Sequence, residues 1–170
     1  MKKYQIIYAD PPWRYNFAPR KSVAIESHYP TMSQQEIMHL EIPCEKDSVL
    51  YLWATAPKLL EALDVMCAWG FVYKTQAVWD KGRTGMGYWF LGQHEIVLVG
   101  TKGKFSPPPT NTRRSSIFFE KRGNHSKKPE IVRRFIEKAY PNCSKIELFA
   151  RQKTEGWDVW GNEVESDIEL

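Results

Sequence analysis

Apolar residues along the chain cluster into short runs that are separated by amphipathic and polar segments. The runs are rich in β-branched and aromatic residues, which is typical of buried β-strands. Strands that are apolar on both faces occur mainly in parallel sheets covered by helices on both sides. The six predicted strands are residues 4–9, 48–55, 71–79, 95–103, 116–122 and 145–151.

Three other segments, residues 33–40, 57–70 and 128–140, have the apolar periodicity of helices. Ser33 and Glu36 have the spacing of a capping box at the start of the first helix. The predicted inward-facing residues are Leu59, Leu60, Leu63, Met66 and Cys67 in the second helix and Ile131, Val132, Phe135, Ile136 and Ala139 in the third. Helices that alternate with strands predict an α/β fold with a mostly parallel sheet and helices on both faces.

Composition and charge are those of an ordinary globular protein. Of the 170 residues, 42% are hydrophobic and 26% are charged, and the net charge of +4 permits a polyanionic partner without requiring one. The three cysteines show no C-x-x-C spacing, which argues against a disulfide framework or a zinc site, and we expect no bound metal. With no signal peptide and no apolar run of transmembrane length, we expect a soluble cytoplasmic protein without membrane contacts. No repeat or linker divides the chain, so we expect one domain, residues 1–170.

The segment YADPPW carries the clearest indication of chemistry, because an acid, two prolines and a tryptophan directly follow the first predicted strand. Asp10 stands where that strand ends, and ligands of open α/β sheets bind at this edge. Pro11 and Pro12 lack backbone donors and restrict two φ angles, so the carboxylate and neighbouring carbonyls are held as acceptors. Trp13 adds a flat aromatic face. The combination suits a flat heterocycle with an exocyclic amine, although a rigid turn with a buried tryptophan would have the same sequence.

An exocyclic amine of adenine or cytosine is a weak nucleophile because its lone pair is delocalised into the ring. Acceptors directed at its hydrogens localise the pair on nitrogen, and a carboxylate is the strongest such acceptor, since its hydrogen bond is charge-assisted. Stacking on an aromatic ring contributes roughly 1–3 kcal/mol per base and would hold the base in place. The tetrad therefore indicates a site that activates a nucleobase amine.

Several separated segments resemble, in the same order, the permuted (β-class) S-adenosyl-L-methionine-dependent methyltransferases that modify the 6-amino group of adenine. This family has bacterial and phage members and includes the catalytic subunit of the mRNA adenosine methyltransferase complex. The matching segments are YADPPW, YPTMS, LYLWAT, GRTGMGYWFLGQHEIVLVGTKG, HSKKPEIV and KIELFARQKTEGWDVWGNE. The resemblance covers nearly the whole chain and implies a Rossmann-like methyltransferase fold with S-adenosyl-L-methionine as cofactor.

The resemblance implies a role for each residue of the DPPW tetrad. Asp10 and the carbonyl of Pro11 would bind the target amine, and Asp10 would also lie close to the donor methyl group. Pro12 would stiffen the turn, and Trp13 would form a wall of the base pocket. Transfer would run directly and in line from the sulfonium to the amine, without a covalent enzyme intermediate.

The same resemblance implies which residues hold the cofactor. Lys128, followed by Pro129, corresponds to a lysine that contacts the carboxylate end of the cofactor. A lysine at the start of a helix is otherwise unfavourable, because the helix dipole disfavours cations there. Arg151, which follows the last predicted strand, would contact the ribose or the carboxylate. Asn162 and Glu163 correspond to the adenosine-binding pair of the family.

Two features depart from the family pattern. Larger members have an acidic residue, earlier in the chain than the catalytic strand, that contacts the cofactor adenine. We expect that contact to be absent, replaced or supplied elsewhere, because this sequence begins almost at the catalytic strand. Lys153 stands where the mRNA enzyme has a histidine, so no cofactor contact is assigned to it.

Basic residues concentrate in the predicted loops 14–21 and 102–122. Such residues follow phosphates in nucleic-acid-binding proteins, although a solvated basic surface would have the same composition. For a chain of this length we expect no separate target-recognition domain, so selectivity is expected from these loops or from a partner in a homo- or hetero-oligomer. The candidate nucleic-acid contacts are Arg14, Lys21, Arg83, Lys104, Arg113 and Arg114.

The preferred hypothesis is methyl transfer to the 6-amino group of adenine in nucleic acid, with DNA favoured over RNA. One alternative is a cytosine 4-amino methyltransferase, in which serine more often stands at the position of Asp10. Another is a noncatalytic, nucleic-acid-binding subunit of the same fold, in which loss of the tetrad or of Lys128 would be expected. A small-molecule methyltransferase is the remaining alternative.

Overall fold

A computed structural model describes residues 2–15, 30–121 and 128–170. Its helices and strands appear along the chain in the alternating order that the apolar pattern predicts. They are β1 (Tyr4–Ala9), α1 (Gln34–Met38), β2 (Cys44–Ala54), α2 (Leu59–Ala68), β3 (Val72–Asp80), β4 (His94–Lys102), β5 (Ile117–Phe119), α3 (Glu130–Ala139), β6 (Lys145–Leu148) and β7 (Asp158–Trp160). The strands in the described ranges form a single seven-stranded sheet with the order β5-β3-β4-β2-β1-β6-β7.

The sheet is parallel except at β4, which runs antiparallel to both of its neighbours, β2 and β3. The other pairings, β1 with β2 and β6, β3 with β5, and β6 with β7, are parallel. We call the edge at which β1, β2, β3 and β6 end the carboxyl edge. Because β4 is reversed, it begins at this edge and ends at the opposite one. The sheet confirms the predicted α/β class with a mostly parallel sheet.

The helices cover both faces of the sheet, as predicted. Ile37 of α1 and Val65 of α2 belong to an apolar cluster on one face. Val132 and Ile136 of α3 belong to a second cluster on the other face. From Ile6 to Ala9, successive residues of β1 alternate between the two clusters, so the strand is buried from both sides. None of the helices in the described part of the chain combines the length and apolarity needed to cross a bilayer.

The predicted buried face of the second helix was partly wrong. Leu60 is 75% exposed and Cys67 is exposed, whereas Ala62 and Val65 are fully buried. The true stripe is Ala62, Val65, Met66 and Trp69, which has the i, i+3, i+4, i+7 spacing of one helix face. The sequence pattern favoured the leucines because of their size, but the helix turns the face that contains the small Ala62 toward the core.

The other differences concern element boundaries. Strand β2 begins at Cys44, four residues before the predicted start, and β5 keeps only Ile117–Phe119 of the predicted strand. Strand β7, Asp158–Trp160, was not predicted, because three residues are too few to show an alternating pattern. The capping box at Ser33 and Glu36 is present as predicted, with both reciprocal hydrogen bonds.

Candidate active site at the carboxyl edge of the sheet

The DPPW turn is held at the carboxyl edge by backbone hydrogen bonds. The amide of Asp10 donates to the carbonyl of Leu148 at the end of β6, over 3.5 Å. Beyond it the chain turns, and the amide of Trp13 donates to the carbonyl of Pro11 over 2.9 Å. The carbonyl of Pro12 accepts from the amide of Met32, also over 2.9 Å. The prediction that Asp10 stands at this edge is confirmed by its position.

Trp13 lies deeper than an open stacking surface would. Its side chain belongs to the apolar cluster beneath α1 and α2, and the residue is only 6% exposed. Its indole N–H donates to the carbonyl of Trp53 in β2, over 3.1 Å. The tryptophan is thus buried, as in the alternative of a rigid turn, and its role as a wall of the base pocket stays a prediction. The ring is buried because the turn directs it toward the core, where its hydrogen bond to Trp53 anchors the turn to β2.

Asp10 forms an ion pair with Lys128, a residue 118 positions away in the sequence. The Nζ atom of Lys128 lies 2.7 Å from Oδ2 of Asp10, and their side chains are only 16% and 23% exposed. Lys128 precedes Pro129, which is the N-cap residue of α3. The helix dipole disfavours a cation at this end, so the nearby carboxylates must offset that cost. The structure thus brings together two of the residues that the sequence assigned to the site.

The protonation of this pair is shaped by burial and by neighbouring charges. Burial raises the pKa of Asp10, and the opposing effect of the Lys128 ammonium does not cancel it. Burial alone would lower the pKa of Lys128, but Asp10 and Glu95 together raise it above its ordinary value. Lys128 is therefore charged at neutral pH, and it faces two carboxylates.

Glu95 is a site residue that sequence reasoning missed. Its Oε2 atom lies 3.4 Å from Nζ of Lys128, and its Oε1 atom lies 3.4 Å from Nζ of Lys81. The side chain is 16% exposed, so the carboxylate bridges two lysines in a sheltered position. An acid at the start of the otherwise apolar run EIVLVG was the available signal. Only the antiparallel direction of β4 brings that start next to Asp10.

Arg151 and Glu163 also meet at the carboxyl edge, beyond the ends of the neighbouring strands β6 and β7. The Nε atom of Arg151 lies 3.4 Å from Oε1 of Glu163. The positive charge of Arg151 partly opposes the rise in the pKa of Asp10, so Arg151 lies within electrostatic range of the tetrad. A side chain at Gly161 would collide with the backbone of Ala150, so glycine permits the two strand ends to approach closely.

Two further cofactor candidates are less enclosed. Asn162 is exposed next to Gly161, on the same turn as Glu163. Lys153, to which no contact was assigned, forms an ion pair with Asp167, with 2.9 Å between Nζ and Oδ1. Its partner lies in the C-terminal segment, away from the Asp10–Lys128 pair.

The donor set fits the predicted cofactor. Lys128 and Arg151 offer cations suited to a carboxylate, and Asp10 and Glu163 offer acceptors suited to an ammonium group or to hydroxyls. Both signs of charge meet at the carboxyl edge of parallel strands, where α/β folds bind their ligands. This edge is therefore the candidate active site.

The predicted nucleic-acid contacts divide into two groups. Arg14 lies beside the DPPW turn, with its guanidinium 3.8 Å from Glu36, and Arg83 lies in the loop that joins β3 to β4 at the carboxyl edge. Lys104 follows β4, whose nine residues carry the chain roughly 27 Å to the opposite edge. There its amide donates to Asp47 over 2.6 Å. Lys104 thus lies at the edge opposite Asp10, and its contact with nucleic acid stays a prediction. Lys21 lies outside the described residues.

Arg113 and Arg114 line a cavity of about 600 Å³ on the α3 face of the sheet. The Nε atom of Arg113 donates to the carbonyl of Pro108 over 3.1 Å. Among the cavity's other lining residues are Tyr51, Val97, Phe118, Val132 and Phe135. None of the residues predicted to hold the cofactor lines this cavity, so the two arginines are not part of the candidate active site.

Comparison with known proteins identifies relatives over nearly the whole chain. The family model described as MT-A70 matches residues 4–163. The type II methyltransferase M.MunI of Mycoplasma sp is 38% identical over 190 residues, which cover 99% of this chain and 82% of that protein. The N(6)-adenosine-methyltransferase MT-A70-like protein of Drosophila melanogaster is 32% identical over 178 residues, 96% of this chain and 27% of that protein. The human N(6)-adenosine-methyltransferase catalytic subunit METTL3 is 29% identical, with 96% of this chain and 28% of that protein covered.

Proposed function

The chain belongs to the MT-A70 family, as an S-adenosyl-L-methionine-dependent methyltransferase, and we propose that it methylates the 6-amino group of adenine in DNA. The observation that supports this most directly is the Asp10–Lys128 pair beside the DPPW turn, 2.7 Å apart at the carboxyl edge. DNA is preferred because the match covers 82% of a type II methyltransferase. It covers only about a quarter of the relatives named for the ribonucleoside adenosine.

The cofactor would supply an electrophilic methyl group on a sulfonium sulfur. Lys128 and Arg151 are the cations available for its carboxylate. Asn162 and Glu163, on the turn that follows β7, would bind the hydroxyls and polar atoms of its adenosine. Pro129, the N-cap residue of α3, directly follows Lys128 and so restricts the backbone conformation of that lysine.

The target amine would be bound by the acceptors of the turn. Lys128 occupies Oδ2 of Asp10, so Oδ1 is the oxygen directed to the amine. The carbonyl of Pro11 already accepts from Trp13, but its second lone pair remains for another donor. Two acceptors on one amine would localise the nitrogen lone pair and direct it at the methyl group that the cofactor supplies. The proton is lost after the nitrogen becomes cationic, so no strong base is required.

Glu95 acts through Lys128 in this proposal. By bridging Lys81 and Lys128 it holds the ammonium against Asp10, and it is a positioning residue because its contacts are to those lysines. Preorganised charges of this kind provide much of the rate acceleration in enclosed sites. Direct transfer needs no nucleophilic side chain. The hydrogen bonds described above for Asp10 and its turn involve none.

The test is transfer of labelled methyl from S-adenosyl-L-methionine to defined single- and double-stranded DNA and RNA, followed by digestion to nucleosides. We expect label in 6-methylamino-deoxyadenosine. Label in methylcytosine or in RNA alone would refute the proposal. Absence of transfer together with absence of cofactor binding by calorimetry would indicate a noncatalytic subunit.

A matched variant keeps the test specific to Asp10. Asp10→Asn preserves the shape of the side chain but removes its charge, and we expect transfer to fall by at least about a hundredfold. Leu60→Ala, on the exposed side of α2, serves as the control and should keep wild-type activity. Both variants should show the far-ultraviolet circular dichroism of the wild type. Full activity of Asp10→Asn would overturn its assignment as the amine acceptor.

A further inference from the structure

The loop between β3 and β4 ends in large apolar side chains that face solvent. Trp89 is 95% exposed, Phe90 is 89% exposed and Met86 is 77% exposed, with Tyr88 and Leu91 also exposed. We call residues 86–91 the aromatic tip. Apolar residues scattered singly on a surface are ordinary, but a contiguous exposed group marks an interaction site.

The aromatic tip stands on a defined backbone. At its base, Oδ1 of Asp80 accepts from the amide of Gly82 over 2.8 Å and from Nε2 of Gln93 over 2.9 Å. Higher in the loop, the amide of Gly85 donates to the carbonyl of Gly92 over 2.8 Å. A side chain at Gly87 would collide with the backbone of Phe90. The loop is therefore closed by its own hydrogen bonds, and its aromatic rings are left outside.

The aromatic tip projects from the same edge as the candidate active site. Strand β3 ends and strand β4 begins at the carboxyl edge, with Asp80 opposite His94. The next residue, Glu95, contacts Lys128, and Lys128 contacts Asp10. A single chain of contacts thus joins the base of the loop to the DPPW turn. A ligand bound at Asp10 and extending along this edge would meet the tip.

The charges around the aromatic tip suit a polyanion. Residues 81–94 contain Lys81 and Arg83 and no carboxylate. The acids that bracket the segment are engaged, since Asp80 accepts two hydrogen bonds and Glu95 bridges two lysines. Since Lys81 is paired with Glu95, Arg83 is the cation that this segment adds beside the exposed aromatic rings. Aromatic rings next to a cation are the features with which proteins stack on bases and follow phosphates.

We propose that the aromatic tip is a wedge that occupies the base stack next to the target adenine, with Trp89 and Phe90 as the stacking side chains. This inference rests on the proposed function and adds its substrate class, namely paired DNA whose target base must leave the helix. An enzyme that modifies a base within a duplex has to extrude it, and apolar side chains inserted at a base step open the stack. The tip therefore offsets the cost of extrusion, and Arg83 binds a phosphate beside it.

The test compares a double variant, Trp89→Ala with Phe90→Ala, on three substrates: a paired duplex, the same duplex with an abasic site opposite the target, and the single strand. We expect kcat/KM to fall by about ten- to a hundredfold on the paired duplex and by less than about threefold on the other two. Cofactor affinity should not change. The control is Val72→Ser, which removes a 63% exposed apolar side chain at the opposite edge of the sheet.

A second readout does not depend on methyl transfer. With 2-aminopurine at the target position, the wild type should raise its fluorescence in a paired duplex and the double variant should not. If transfer to adenine is absent but this response is present, the proposed function fails and the wedge stands. Equal losses on all three substrates would overturn the wedge. So would a change in oligomeric state by light scattering, because the tip would then be a protein–protein contact.

Discussion

Replacement of Lys128 by methionine is the most direct test of the site's electrostatics. The change removes a charge that lies 2.7 Å from Asp10 and 3.4 Å from Glu95 while keeping the length of the side chain. At 2.7 Å and an effective dielectric constant of about 20, the attraction to Asp10 amounts to about 6 kcal/mol before desolvation is subtracted. Breaking a buried pair by removing one partner costs about 3–5 kcal/mol, because the other charge stays uncompensated. The lower end applies here, since the side chains keep 16% and 23% exposure.

We therefore expect Lys128→Met to lower the free energy of unfolding by about 3 kcal/mol at pH 7, measured by urea denaturation. The matched control is Lys81→Met, which removes a longer contact of 3.4 Å in an equally sheltered pair. Because Glu95 keeps Lys128 as a partner, the control should lose less stability than Lys128→Met. Cofactor affinity, measured by calorimetry, should fall in Lys128→Met and remain near wild type in the control. A loss of stability below about 0.5 kcal/mol would refute the reasoning, because the pair would then be solvent-screened.

The loss of stability in Lys128→Met should also depend on pH, and the pKa of Asp10 determines the direction of that dependence. Burial raises the pKa of this carboxyl in the folded protein, and loss of the lysine raises it further. A raised folded-state pKa means that the folded protein holds the proton more tightly than the unfolded chain. Stability is then greater at low pH and falls as pH rises through the unfolded and then the folded pKa. The difference between Lys128→Met and wild type should therefore shrink as the pH is lowered from 7 toward 5.

Two further predictions concern the DNA-binding side of the sheet and the buried Trp13. Arg83→Gln should weaken duplex binding and reduce the slope of log K against log salt by about 1, whereas Lys104→Gln, at the opposite edge, should leave that slope unchanged in fluorescence anisotropy. Equal slopes for the two variants would contradict the assignment of the carboxyl edge as the DNA-binding side. Trp13→Phe removes the indole hydrogen bond to Trp53, 3.1 Å long, and should cost about 1 kcal/mol of unfolding free energy. Because the ring is buried, kcat of Trp13→Phe should change by less than about threefold. A far larger loss would support the predicted role of Trp13 as a wall of the base pocket.

Much of the fold was predictable because burial imposes local patterns. The apolar runs located six of the strands, and the capping box at Ser33 and Glu36 marked the first helix. The pattern does not specify strand order or direction, because a buried strand has the same apolar sequence whichever neighbour it pairs with. The inward face of α2 was misjudged for a related reason. The size of Leu60 suggested burial, but the position of the helix on the sheet buries Ala62 instead.

The candidate site likewise has residues that were predictable from the sequence and contacts that only the structure shows. Asp10 could be placed from sequence because it directly follows a strand, and a strand's end is a local feature. Lys128 was assigned through its resemblance to a family pattern, and its contact with Asp10, across 118 positions, is a product of tertiary structure. Lys104 was named as a candidate nucleic-acid contact because it lies in a basic loop, and the direction of β4 places that residue at the edge opposite Asp10.

The sequence by itself determined the α/β class and the position of the DPPW turn, because both depend on neighbours within a few residues. Tertiary structure alone decided that Glu95 bridges two lysines and that Trp13 is buried. Both outcomes depend on which strands are adjacent and in which direction they run. Pairing of distant strands is decided by packing over the whole sheet, and no segment read separately contains that information.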